Sequence, residues 1–336
     1  MISGDIGLTF GIMLANGFME TEKEVAINAV LKAAQLCQEV QSDMVQTDAI
    51  KKPDRSPVTV ADFGSQALIC SALGEAFPKD CIVAEEDAEE LRENPQLRSR
   101  VTDYVNRFED VSSHQVCEWI NRGKGEVNKR YWTLDPIDGT KGFLRRNQYA
   151  IALALIIDGE VEFGLLACPN LPKEWDKPNL GQGCLLVAVR GEGAYMGALD
   201  GRPIKQIQVA DTPLRFADSV ETLHGDHGAH FRITQELGIT DPPIQIDSQA
   251  KYGLVARGEA SVYLRLPNPR TPNYRECIWD HAAGIIIVEE AGGKVTDMHG
   301  QSVNLLEGRR MTSNRGIVAT NGKLHERVLE IIRNAK

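Results

Sequence analysis

The chain lacks the features that mark several classes of protein. Its seven cysteines, Cys37, Cys70, Cys81, Cys117, Cys168, Cys184 and Cys277, are scattered, odd in number and include no C-x-x-C pair, which argues against a disulfide framework and against a zinc knuckle. A reducing cytoplasm fits that usage, while spacing in sequence leaves a redox-switchable pair open. No apolar run is long enough to span a bilayer. The opening MISGDIGLTFGIMLANGFME has no Lys or Arg before its apolar part and carries Asp5, so it does not read as a signal peptide or an anchor. Residues 1–18 read as a nonessential extension, with the domain proper starting near Met19. No internal repeat or low-complexity tract is present. Positive charge is in deficit: 37 Lys and Arg face 47 Asp and Glu, a net charge of −10, which disfavours nonspecific attraction to nucleic acid or to an anionic membrane. An anionic small molecule is still compatible, given local basic side chains or divalent cations.

What is present is a chain of 336 residues, 42% hydrophobic, long enough for two domains. From Thr21 the apolar positions Val25, Ala29, Leu36 and Val40 recur at near-helical spacing, with Thr21 and Glu24 offering a capping box. PVTVADFGSQALICSAL predicts a short strand or turn feeding a second helix, with Asp62 at the junction. CIVA predicts a strand that ends at Glu85 and Glu86, and residues 101–130 read as an insertion or peripheral helices. YAIALALIIDGEVEFGLLACP predicts two strands joined at Asp158-Gly159, a strong hairpin signal. CLLVAVRGEGAYM predicts another strand, turn and strand. Beyond about residue 211 helical and extended patterns alternate, through HFRITQELGI and a helix in IWDHAAGIIIVEEAGG that stops at Gly292-Gly293.

The chemistry concentrates in 131-YWTLDPIDGTKGFLRR-146. A strand ending at Asp135, stiffened by Pro136 and released by Gly139, can turn Asp135, Asp138 and the Ile137 carbonyl toward one hard cation. Mg²⁺ takes such oxygen donors and shares them with substrate phosphate. Thr140 adds a hydroxyl that can orient a water, and the Gly139 and Thr140 amides suit phosphate oxygens if a helix starts there. D-x-x-D-G is equally the pattern of an ordinary Asp-Gly turn. Glu85 also reads as part of a solvated charge run, and Asp280 in WDHAAG as a helix N-cap. Taken singly, each bland reading is the better one.

Taken in order, SPVTVADFGSQ, VAEED, WTLDPIDGTKGFLR, LLACPNLP, IDSQAKYGLVARGEASVYLRLP and IWDHAAG resemble the lithium-sensitive, magnesium-dependent phosphomonoesterases related to inositol monophosphatase. DPIDGTKGFLR and DSQAKY are similar to the 3'(2'),5'-bisphosphate nucleotidase branch. The resemblance runs from about Met19 to the C-terminus. It implies a layered αβαβα sandwich of the inositol monophosphatase and fructose-1,6-bisphosphatase type, with an α+β metal-binding half over 19–210 and an α/β nucleotide-binding half over 211–336. It implies metal ligands at Glu85, Asp135, the Ile137 carbonyl, Asp138 and Asp280, with Asp62 and Thr140 activating the attacking water. Two or three Mg²⁺ ions would then polarise the phosphate and stabilise the leaving ribose oxygen. Without metal such carboxylates repel one another, so partial protonation is expected.

The resemblance further implies nucleotide contacts from Gly139, Thr140, His227, Ser248, Lys251, Arg265 and Asp280. Lys251 and Arg265 suit the phosphate that is not cleaved, though a surface cation is the usual fate of either residue type. His224, His227 and His230, three residues apart, read as loop histidines rather than zinc ligands. His227 is the weaker transfer, because Phe231 stands where relatives carry Asp after the last histidine. The implied reaction hydrolyses 3'-phosphoadenosine 5'-phosphate, with its sulfated analogue as a further substrate, in sulfur assimilation and nucleotide bisphosphate turnover. An inositol phosphate phosphatase and a noncatalytic nucleotide sensor are the alternatives. The sequence leaves open the oligomeric state, a monomer being compatible, along with an organellar location and this chain's own sensitivity to lithium.

Overall fold

The computed structural model describes residues 19–43, 50–51, 57–58, 60–200, 205–220, 227–268, 270–271 and 273–334. The expected extension over residues 1–18 lies outside them. Strand periodicity sets the layers. Along Arg130–Asp138, Trp132 and Leu134 face one side of a seven-stranded sheet while Tyr131 faces the other, as successive strand residues must. The first side is covered by the helices Glu20–Asp43 and Val60–Ala76, whose Leu36, Phe63 and Ile69 join Trp132 and Phe163 in one core. The second side receives Ala250–Ala256 and Ala282–Glu290. The latter helix is apolar all round over residues 282–288, as expected of one enclosed between sheets, and its last two residues, Glu289 and Glu290, bond Arg190 and the Gly191 and Gly193 amides. A five-stranded sheet closes over these helices, and His227–Glu236 with His325–Asn334 cover its outer face through Ile233, Val328, Leu329 and Ile332. The order is therefore helix, sheet, helix, sheet, helix.

The seven-stranded sheet runs in sequence order from Cys81–Ala84 to Lys205–Ile207, its first pair parallel and the rest antiparallel. The hairpin at Asp158-Gly159 is present, with φ of 50° and 92° at its two residues, the left-handed pair a type I′ turn requires. The second sheet is mixed, ordered Ile244–Gln245, Phe216–Asp218, Val262–Arg265, Ile317–Thr320, Lys294–Thr296. Chain passage from one sheet to the other falls between residues 207 and 216. The region expected to hold peripheral helices over 101–130 takes in the end of Pro95–Val105 and the whole of Ser113–Asn121, the second opened by a Ser112–Gln115 capping box.

Three local expectations differ from the fold. The first helix already begins at Glu20, the Lys23 amide bonding the Met19 carbonyl at 3.0 Å, so Thr21 lies inside it rather than at its cap. The strand expected to stop at Asp135 continues to Asp138. His227 opens a ten-residue helix rather than lying in a loop.

Candidate active site

Asp135 and Asp138 are three residues apart, a spacing that would place them on opposite faces of a regular strand. The pairing shifts between them: Asp135 stands opposite Ala152 and Asp138 opposite Ala150. One extra residue is thereby accommodated as a bulge, and both carboxylates emerge on the same face. The Ile137 amide donates to Asp135 Oδ1 at 3.1 Å, and the Thr140 hydroxyl donates to the Ile137 carbonyl at 3.2 Å. Gly139 then takes φ 86°, with no spare room, since a Cβ there would lie 3.1 Å from Ser248 Cβ. The short helix Thr140–Leu144 follows.

Other elements bring further acids to this turn. Asp62 lies 1% exposed in the first turn of Val60–Ala76, where Ser65 donates to the Pro136 carbonyl at 3.0 Å. Glu85 follows the strand paired with Arg130–Asp138, its amide bonding the Leu134 carbonyl at 3.2 Å. Asp280 sits on a one-turn 3₁₀ segment, Ile278–Asp280, and accepts from the Cys277 amide at 3.3 Å. It is the third residue of that turn, bonding back to Cys277, whereas the N-cap of the apolar helix is His281, with no side-chain cap bond; the expected N-cap role is therefore not taken, and the carboxylate faces the other acids. Asp135 is held well above the ordinary carboxylate range, by burial first and then by the charges of Glu85, Asp138, Asp280 and Asp62. Burial and then Asp138, Glu276 and Glu85 do the same for Asp280. Asp138 is raised by burial, with Lys251 and the Gln249 amide opposing. Three carboxylates that resist ionising together, with Glu85 and Asp62 beside them, form a donor set suited to a hard divalent cation.

The carboxylates open into a cleft of about 280 Å³. Glu85, Asp138 and Asp280 line it, as do Gly139, Thr140 and Ser248, and so do three cations, Lys141, Lys251 and Arg265. Asp62, Asp135 and Ile137 stand behind that surface. The side chain of His227 lies outside the described residues. Burial draws Lys251 down to about 8, against the pull of Asp138. Its ammonium bonds the Ile246 carbonyl at 3.3 Å and lies 5.4 Å from the centre of the Tyr263 ring. Arg265 donates from Nε to Glu276 at 3.2 Å. Burial pushes Glu276 up, but His281 and Arg265 more than offset it and hold it at about 2.

Several residues that do this positioning were not singled out as site residues, although Gln66 and Gln249 fall within SPVTVADFGSQ and DSQAKY. Gln249 donates its amide to Asp138, and its side chain bonds the Trp279 carbonyl at 2.8 Å and the Gly284 amide at 3.2 Å. One buried glutamine therefore ties Asp138 to the segment bearing Asp280. Gln66 does the like for Glu85, bonding the Glu86 carbonyl at 2.7 Å, the Glu86 amide at 3.0 Å and the Ile120 carbonyl at 2.9 Å. Arg309 lies 4.7 Å from the Trp279 ring centre and bonds the Ala84 carbonyl, joining the strand before Glu85 to the turn before Asp280. The two stretches DPIDGTKGFLR and DSQAKY also meet directly, through an Arg145–Asp247 ion pair at 2.8 Å. Among the described residues, no helix is long and apolar enough to cross a membrane.

Comparison with known proteins agrees with this geometry. The model of the inositol monophosphatase family matches residues 19–336. A 3'(2'),5'-bisphosphate nucleotidase of Schizosaccharomyces pombe is 41% identical, covering 93% of this chain and 94% of the relative. One from Oryza sativa is 43% identical, covering 94% of each. Among solved structures, an IMPase of Thermotoga maritima superposes with a TM-score of 0.63 at 22% identity, covering 94% of this chain and 97% of that one, a likeness of fold.

Proposed function

The chain belongs to the inositol monophosphatase family, and we propose that it acts as its nucleotidase relatives do, hydrolysing 3'-phosphoadenosine 5'-phosphate to AMP and phosphate. The observation that carries this reading is a single cleft lined both by a carboxylate cluster and by the cations Lys141, Lys251 and Arg265. A substrate with phosphate on both sides of a ribose needs charge compensation at both. The residues fit a hard cation, and Glu85, Asp135, the Ile137 carbonyl, Asp138 and Asp280 are the donors that would hold two or three Mg²⁺ ions. When bound, the metal supplies positive charge to the phosphoryl oxygens and acidifies water.

The chain's own residues do the rest. Asp62 and Thr140 orient the attacking water and accept its proton; the new P–O bond forms as the bond from phosphorus to the ribose oxygen breaks. Gly139, Thr140 and Asp280 border the transferred phosphoryl group. Ser248, Lys251 and Arg265 receive the phosphate that stays, and His227 is assigned to the nucleotide site by the resemblance alone. Partners are confined to small nucleotides, the sulfated analogue among them, and the seven unpaired cysteines suit a reducing compartment such as the cytoplasm.

Two measurements bear on this reading. With Mg²⁺, phosphate release should be faster from the adenosine bisphosphate than from inositol 1-phosphate. The reverse order rejects the substrate, and tight nucleotide binding without turnover supports a sensor instead. Lys251, at about 8, is charged below that pH and neutral above it. The KM for the bisphosphate is therefore expected to rise by about tenfold between roughly pH 7 and roughly pH 9, a limb that Lys251→Arg should flatten.

A further inference from the structure

Glu276 belongs to none of the groups assigned so far, yet it stands between two of them. One of its carboxylate oxygens accepts from Arg265 Nε at 3.2 Å, and the other lies 3.7 Å from His281 Nε2. His281 is only 2% exposed, and its Nδ1 is engaged by the Tyr252 hydroxyl at 2.8 Å. His281 directly follows Asp280, and the residue after Glu276, Cys277, gives its amide to the Asp280 carboxylate at 3.3 Å. Tyr252 in turn meets the Tyr263 ring edge-on at 4.9 Å, and Tyr263 is the ring under Lys251. Arg265, Lys251 and Asp280 are thus connected through one chain of polar and aromatic contacts. Among the described residues, Glu276 is the one hydrogen-bond partner of the Arg265 guanidinium.

Two plainer readings compete. Glu276, Asp280 and His281 bring ligand atoms within 4.8 Å of one another, a spacing that suits a cation. Arg265 already occupies Glu276, however, and its charge opposes a further positive ion at that distance. Alternatively the cluster is a structural ion pair that merely fills the wall. That reading leaves unexplained why one carboxylate is divided between a cleft-lining cation and the residue next to a metal-binding acid.

We infer that Glu276 is a positioning residue that fixes the spacing between Arg265, which receives the noncleaved phosphate, and Asp280, so that the cleft selects bisphosphates over monophosphates. The inference rests on the reading of function proposed above. A guanidinium held at Nε presents its remaining nitrogens in a fixed fork, which is how Arg recognises phosphate. Released from Glu276, it loses that orientation and pays more entropy on binding.

The test compares kcat/KM for adenosine 3',5'-bisphosphate with that for 3'-AMP, which lacks the second phosphate, in the full chain with Mg²⁺. The unmutated protein should favour the bisphosphate. Glu276→Ala should shrink that preference by about tenfold, with the loss in KM, and Glu276→Gln, which keeps shape and an acceptor but not charge, by about threefold. Arg265→Ala should shrink it as well, and adding Glu276→Ala on that background should change it little further. A preference that survives in Glu276→Gln, or that falls additively in the double variant, overturns the inference, and a uniform slowing of both substrates identifies a structural role only. If the unmutated protein shows no preference, the proposed substrate fails first and the inference with it. That outcome is read before any variant is made, so the two failures are distinct.

Discussion

Asp138→Asn should reduce turnover at least ~10³-fold, equivalent to ~4 kcal/mol of lost transition-state stabilisation, while leaving the fold intact. Asparagine keeps the volume and an oxygen able to accept from the Gln249 amide, so nothing in the packing changes. What goes is a negative charge from a set already strained by mutual repulsion, since Asp135 and Asp280 are both raised in part by Asp138. Repulsion destabilises the metal-free protein, and its sign can be worked out. A carboxylate raised in the folded state leaves stability undiminished below its ordinary pKa of 3.8 and erodes it as pH rises toward the folded value. Near neutral pH the metal-free variant should therefore melt at or above the temperature of the metal-free parent. The parent should gain stability from Mg²⁺, about 2.7 kcal/mol at roughly a hundred times Kd, and the variant should gain far less. Thermal melts with and without Mg²⁺, alongside phosphate release, check both halves. Undiminished activity, or an unchanged Mg²⁺ shift, would remove Asp138 from the metal site.

Gly142→Ala should destabilise the protein by about 3 kcal/mol, the upper part of the range for overpacked sites. Alanine is the better helix former by about 1 kcal/mol, so propensity alone predicts a gain. Sterics decide otherwise. A Cβ on Gly142 would lie 2.2 Å from the Gln148 carbonyl oxygen and 2.8 Å from Asp247 Oδ2. The first is backbone, and the second belongs to a side chain held by Arg145 at 2.8 Å. Relief requires the helix Thr140–Leu144 to part from residues 247–249, which would shift Gly139 and Thr140 away from Ser248 and raise KM as well. Denaturant unfolding and steady-state kinetics on the same preparation test this, and wild-type stability would show that the contact yields more easily than its backbone partner suggests.

Asp135, Asp138, Glu85 and Asp280 could be singled out in the sequence because each ends or begins an apolar run, and the five layers followed from the resemblance those stretches carry. The bulge that turns Asp135 and Asp138 to one face could not, because periodicity alone assigns them opposite faces. The positioning roles of Gln66 and Gln249, both inside the stretches that carry the resemblance, and of Glu276 were equally hidden. Their partners stand 20, 30 and 11 residues away, and a buried glutamine reads in a sequence like any polar helix residue. The start of the first helix was misplaced by one residue because a Thr with Glu three positions on resembles a cap wherever it falls. His227 was expected in a loop because Gly225 and Gly228 flank it, and glycine is a weak breaker when neighbouring turns can carry the helix.

Arg309, braced on Trp279 and bonded to Ala84, joins a late segment to the strand before Glu85, the first acidic donor proposed for the metal in the sequence. An emerging polypeptide thus completes its first sheet long before it owns a cradle for cations. Until the last strands are laid down, the early carboxylates have no Asp280 to crowd them, and the polypeptide can fold most of its bulk without meeting its own electrostatic obstacle. A chain cut before Asp280 is therefore expected to keep the early carboxylates without a complete set of donors for a divalent cation.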